Sequence, residues 1–139
     1  MENVNSSTKK FPSASEFDKA KDDRFSQAVH QKLKIASVAI AGAGGLGSNI
    51  AVMLARSGVG HLHIVDFDIV DITNLNRQVY TVRHIGSRKV DAINEILMEI
   101  NPYMKVTTDC VRVVADNCEE IFRGYDIVCE AFDGAESKA

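Results

Sequence analysis

Three glycines spaced G-x-G-x-x-G, at Gly42, Gly44 and Gly47, follow the apolar run Val38 to Ala41 and precede Ser48 to Ser57, which reads as a helix. A glycine-rich turn between strand and helix is suited to binding anions. One glycine permits the tight turn, one lets the backbone close on a phosphate, and one lets the helix lie against the strand. The unpaired N–H groups of the first helical turn and the positive end of the helix dipole then face the bound group. A purely structural turn can share this spacing, so the strand–turn–helix setting gives the motif its weight. A carboxylate, Asp66, closes the apolar segment His61 to Phe67, 19 residues after Gly47. An acidic residue there accepts hydrogen bonds from both ribose hydroxyls; a solvated loop carboxylate is the plainer alternative. To this point a nicotinamide dinucleotide and ATP are served equally well.

The elements that must position these residues follow from periodicity. Strands are expected at Val38 to Ala41, His61 to Phe67, Lys105 to Val114 and Tyr125 to Ala131. Between them, Ser48 to Ser57 stops at Gly58, and Gly86 to Ile100 presents Val90, Ile93, Leu97 and Ile100 on one helical face before Asn101-Pro102. Asp116 to Phe122 is a short helix, capped by Asp116 and ended by Gly124. Asp68 to Arg83 is too polar and irregular for a core element. Glu16 to Lys34 fits one or two short amphipathic helices, and Met1 to Ser15 is expected to be loose. The order β-α-β-α-β-α-β predicts an α/β fold: a Rossmann-like, doubly wound, mostly parallel sheet with right-handed crossovers, truncated after the fourth strand. Ligands in such sheets bind beyond the C-terminal strand ends. Gly42 to Gly47, Asp66 and Asp133 all fall there.

The stretch DFDIVDITNLNRQ, Asp66 to Gln78, separates the two nucleotides. With Gly42-Ala43-Gly44-Gly45-Leu46-Gly47, Asp66-Phe67-Asp68, Val70, Asn74-Leu75-Asn76-Arg77-Gln78, Gly86, Lys89 and Asp133, the chain resembles the ThiF/MoeB/HesA family, bacterial relatives of ubiquitin-activating enzymes. The glycine loop is generic; the Asp-x-Asp followed by Asn-Leu-Asn-Arg-Gln is specific. The resemblance runs from about Val38 to the end, and AFDGAESKA looks most like the shorter, ThiF-like branch. It implies a flexible N-terminal arm over residues 1–23 and, over 24–139, the N-terminal part of a Rossmann-like ATP-binding adenylation domain. It further implies adenylation of the C-terminal glycine of a small ubiquitin-like, ThiS-like sulfur carrier, within a homodimer. In the family an arginine before the first strand can reach the neighbouring subunit's triphosphate, and Arg24 is the matching candidate here.

The residues suit that chemistry. Joining a carboxylate to the α-phosphate of ATP requires positioning and charge neutralisation above all. Arg77 offers a planar fork and Lys89 a mobile point charge for the triphosphate. Asp133, ending the fourth strand, is the natural Mg²⁺ ligand, since that ion prefers one or two carboxylates together with phosphates. Asn74 and Gln78 can hydrogen-bond phosphate or ribose, and Gly45 belongs to the loop. Asp68 supports either Asp66 or the metal.

Other classes lose ground. A net charge of −3 gives no global basic field for nucleic acid. No run approaches the ~18 apolar residues of a membrane span. Three cysteines without C-x-x-C spacing, Cys110, Cys118 and Cys129, suit a reducing cytoplasm and hold no zinc site. Cys110 and Cys129 read as small core residues, Cys118 as the one thiol to test for reactivity. His30, His61 and His63 read as cap or strand residues, and Arg83, His84 and Arg88 as a solvated charge-rich loop. Two rivals remain: an NAD-dependent oxidoreductase, weakened by the Asn-Leu-Asn-Arg-Gln run, and a nucleotide-binding scaffold or half-enzyme without turnover.

Overall fold

The computed structural model describes residues 11–133. Four short strands, β1 (Ser37–Ala41), β2 (His61–Val65), β3 (Lys105–Asp109) and β4 (Ile127–Glu130), form one parallel sheet in the order β3-β2-β1-β4. Helix α3 (Gly45–Ser57) connects β1 to β2, α4 (Lys89–Ile100) connects β2 to β3, and α5 (Ala115–Phe122) connects β3 to β4. The chain thus builds outward from β1 in one direction, then returns past it. The reversal falls between β1 and β4, and this switch point is where such sheets leave a crevice.

Register decides which face is core. Val38 pairs with Leu62 and Ile40 with Ile64, so these four share one face. There they meet Ala51 and Ala55 of α3 and Ala92, Ile93 and Leu97 of α4, all of them buried. Burying a side chain of this size is worth about 1.5–3 kcal/mol each, and the small residues of α3 let that helix lie close to the strands. The opposite face carries His61, His63, Thr107 and Asp109. His63 bonds Thr107 Oγ1 at 2.7 Å and Asp109 Oδ2 at 3.0 Å, and stacks on Tyr125. The polar face is thereby satisfied, and the strand-lining reading of His61 and His63 holds.

Several boundaries differ from expectation. The third strand ends at Asp109, not Val114: Asp66 N–H to the Asp109 carbonyl is the last bond β2 can offer, and Val111 and Val114 are exposed. The second long helix begins at Lys89 because Gly86 adopts φ +88° in a turn tied to Val70, whose N–H donates to Ser87. The short helix starts one residue early, and Asn117 Oδ1, not Asp116, takes the Val114 N–H at 2.8 Å. Asp68 to Arg83 is irregular, with two 3-10 turns, yet it buries Val70, Gln78 and Tyr80.

Glu16 to Lys34 forms the short helices expected of it, the first of them beginning two residues earlier. Helix α1 (Ala14–Arg24), capped by Ser13, pairs with α2 (Gln27–Ile35), capped by Ser26. Asp22 binds buried His30 at 2.5 Å, and Asp18 binds Lys34 at 2.6 Å. Phe17 meets Tyr103 edge-on, and the Tyr103 hydroxyl donates to Pro12. Ion pairs and one aromatic contact dock a helix with no buried residue of its own. The expectation for Met1 to Lys10 lies outside the described residues.

Candidate functional site

The site forms where β1 and β4 end side by side. Ala131 N–H donates to Ala41, and Gly42 turns away with φ +107°. A Cβ at Gly42 would lie 2.8 Å from the Ala131 carbonyl oxygen, so a side chain is refused both by conformation and by space. Gly47 is stricter. Its own Cβ would sit 1.8 Å from the Gly42 oxygen, so only glycine lets α3 start this close to the turn. Helix α3 begins at Gly45 behind Gly44, three residues before the expected start at Ser48, with no side-chain cap. Among the described residues nothing accepts from the N–H groups of Gly44, Gly45, Leu46 or Gly47.

Around that turn lies a cavity of about 140 Å³ lined by Gly42, Gly44, Asp66, Phe67, Asp68, Lys89, Ala131, Phe132 and Asp133. Residues from four separate segments therefore converge. Asp66 is fixed by two backbone donors, Ala43 N–H to Oδ2 at 2.8 Å and Asp68 N–H to Oδ1 at 2.7 Å. Each oxygen keeps a lone pair for a ligand hydroxyl. Asp68 Oδ2 lies 3.5 Å from Lys89 Nζ, so Asp68 is tied to Asp66 through its backbone and to the lysine through its side chain. Lys89 is buried at the first position of α4. The exposed Asp133 reaches toward the turn: its Oδ2 would lie 3.4 Å from a Cβ at Gly44.

Gly45, Arg77 and Gln78, also expected at the site, adjoin the cavity. The aliphatic stem of Arg77 packs over Gly45, and its guanidinium donates to Thr73 and Asn76. Asn49 Nδ2 bridges the Gly45 and Arg77 carbonyls, holding that loop to α3. Gln78 is buried with its Nε2 beside Gly44, and its Oε1 has no partner among the described residues. A buried acceptor of this kind costs about 1–3 kcal/mol when left unmade.

Asn74 and Arg24 stand apart. Asn74 Oδ1 caps its own 3-10 turn by accepting from Asp71 N–H at 2.8 Å. Arg24, at the end of α1, lines a groove with Phe17, Lys21, Phe25 and Arg56, beside the C-terminal end of α3 and so at the other end of the sheet. Of the charge-rich loop, Arg83 pairs with Glu95, Arg88 pairs with Asp91, and His84 is buried. Cys118 is exposed, and Cys110 and Cys129 are half-buried. No group of three metal-ligating side chains occurs among the described residues.

Sequence reasoning missed Phe67, Phe132 and Tyr80. Phe67 lines the cavity under the Arg112 guanidinium, 4.4 Å from its ring centroid. Tyr80 donates to Ala43 within the turn itself. An aromatic residue in an otherwise polar loop was the available signal.

A glycine turn opening a helix at the β1/β4 switch point, beside the backbone-anchored carboxylate of Asp66 and a buried lysine, has the form of a Rossmann-like nucleotide-binding domain. The chain belongs to the ThiF family, whose profile matches residues 19–139. It is 43% identical over 108 residues to the adenylyltransferase and sulfurtransferase MOCS3 of Culex quinquefasciatus, covering 77% of this chain and 25% of that protein. It is 40% identical over 104 residues to the sulfur carrier protein adenylyltransferase of Thermus thermophilus, covering 74% of this chain and 38% of that one. Among solved structures it resembles the E. coli tRNA N6-threonylcarbamoyladenosine dehydratase TcdA in complex with ATP. The TM-score is 0.81 at 32% identity, over 86% of this chain and 50% of TcdA. The chain thus spans a quarter to a half of the length of these relatives.

Proposed function

We propose that this chain carries the ATP site of an adenylyltransferase that activates the C-terminal glycine carboxylate of a small ubiquitin-like sulfur carrier of the ThiS kind. The observation that carries the reading is the cavity that brings Gly42 and Gly44 of the glycine turn together with Asp66, Lys89 and Asp133. The relatives named for adenylyl transfer to sulfur carriers support it.

In the reaction, a carboxylate oxygen of the carrier bonds to the α-phosphorus of ATP. The bond from that phosphorus to the bridging oxygen breaks, and pyrophosphate leaves with the electron pair. The Gly44 and Gly45 amides face the phosphates at the positive end of α3. Lys89 adds a full charge from a buried position, where it is screened less than a surface lysine. Asp66 orients the ribose, and Arg77 approaches the turn from the α3 side. Mg²⁺ fits this donor set: Asp133 is a free carboxylate beside the glycine turn, a hard oxygen ligand of the type the ion takes. When bound, the ion neutralises phosphate charge.

The carrier, the thiamine-type pathway, a homodimer in which Arg24 serves the neighbouring subunit, and a cytoplasmic location complete the proposal. Arg24 makes no ion pair among the described residues, which leaves it available to a partner. Those residues include no helix long and apolar enough to cross a membrane. The test is ATP–[³²P]pyrophosphate exchange with Mg²⁺ and a panel of carriers ending in Gly-Gly. Exchange that depends on one carrier is the expected result. ATP binding without exchange under every carrier would favour the scaffold reading, and tight NADH binding without ATP binding the oxidoreductase.

A further inference from the structure

The middle residue of the glycine turn is held at both ends. Ala43 N–H donates to Asp66 Oδ2 at 2.8 Å, and the Ala43 carbonyl accepts from the Tyr80 hydroxyl at 2.6 Å. Ala43 is fully buried and Tyr80 nearly so. A trans peptide points its C=O and N–H in opposite directions, and no cis bond occurs among the described residues, so each hydrogen bond orients a whole peptide plane. The Asp66 contact turns the Gly42 carbonyl toward Gly47. The Tyr80 contact turns the Gly44 N–H away from the loop that carries the tyrosine, leaving it without a partner among the described residues.

We propose that Tyr80 is a positioning residue for phosphate binding, presetting the Gly44 amide by clamping the Ala43 carbonyl. The proposal rests on the reading of the cavity as a nucleotide site. Glycine needs such a clamp most, because it has the widest backbone freedom to lose on binding. Three of the five residues from Gly42 to Leu46 are glycines. The hydroxyl is a permanent donor: burial, with the Asp66 charge adding to it, pushes its ionisation well above the usual phenol range. The ring is itself fixed, packing edge-on against buried His84 with centroids 6.2 Å apart. Asp66 has been assigned to the ribose, whereas Tyr80 touches no ligand and acts only through Ala43.

The test is Tyr80→Phe in the full chain, which keeps the ring and deletes the donor. Isothermal titration with ATP, ADP, AMP and adenosine is the readout. Dissociation constants for the three nucleotides should rise about tenfold, the equivalent of one hydrogen bond, while that for adenosine stays within twofold. A general loosening of the domain would weaken adenosine equally, and that outcome overturns the proposal, as does unchanged ATP affinity. A wild-type chain that binds no ATP overturns the nucleotide reading beneath it, a result separable from the others. In ¹⁵N-labelled wild-type protein, which needs no variant to fold, ATP should shift the Gly44 amide resonance and adenosine should not. A shift absent with ATP, or equal with both, counts against the clamp.

Discussion

Lys89 Nζ lies 3.5 Å from Asp68 Oδ2, with the lysine buried and the aspartate half exposed. This is the one ion pair among the residues lining the cavity, and under the proposed function it holds the cation meant for the triphosphate. Asp68→Asn removes the partner of a buried charge. Full burial would make that cost about 3–5 kcal/mol; the exposure of Asp68 reduces it to about 1–2 kcal/mol. Saturating ATP should recover most of the loss, since its phosphates replace the carboxylate. Thermal unfolding with and without ATP measures both. An equal loss in the two conditions would mean that Lys89 does not face the nucleotide.

Asp133→Ala should abolish Mg²⁺-dependent pyrophosphate exchange with the fold intact, because the side chain is exposed and contributes no core contact. Circular dichroism checks the fold. Wild-type exchange rates in this variant would sink the metal-ligand assignment.

Arg77→Ala should lower kcat/KM for exchange by about 10²-fold or more if the guanidinium stabilises charge that develops in the transition state. A rise in KM with kcat unchanged would assign it to ground-state binding instead. The variant also strips the methylene cover from Gly45, so a modest loss in melting temperature is expected alongside.

Two glycines offer a contrast in stability. At Gly47 a Cβ would meet the Gly42 carbonyl oxygen at 1.8 Å, so Gly47→Ala should cost more than about 3 kcal/mol or prevent folding. At Gly86, φ is +88° but nothing lies within 4 Å, so Gly86→Ala should cost only about 1 kcal/mol of backbone strain. Urea unfolding of both variants decides it, and equal losses would contradict the turn geometry.

His61 should make stability rise with pH. Burial, then the charges of Lys105 and His63, hold its ionisation below the usual imidazole value. The unfolded chain therefore binds the proton more readily. The contribution is fully present above about pH 6.5 and declines as pH falls from there toward the lowered folded-state value. His61→Gln, still able to reach Thr107 Oγ1, should flatten this slope in urea midpoints between pH 5 and 8. An unchanged slope would place the titration elsewhere.

Local chemistry determined much of this protein. The glycine spacing, the apolar runs and the carboxylate after the second strand fixed the β-α-β order, because each is enforced by contacts within a few residues. The same reading found Gly42, Gly44, Asp66, Asp68, Lys89 and Asp133, and the cavity gathers all six. What only the tertiary structure decided depends on distant neighbours. The third strand stops at Asp109 because β2 runs out of partners, a fact residues 105–114 do not contain. Helix α1 is docked by Asp22 meeting His30, Asp18 meeting Lys34 and Phe17 meeting Tyr103. Tyr80 donates to a carbonyl 37 residues away in the chain, a pairing that no spacing rule encodes. Periodicity reports the face an element will bury; hydrogen bonds between segments distant in the chain are visible only once it has folded.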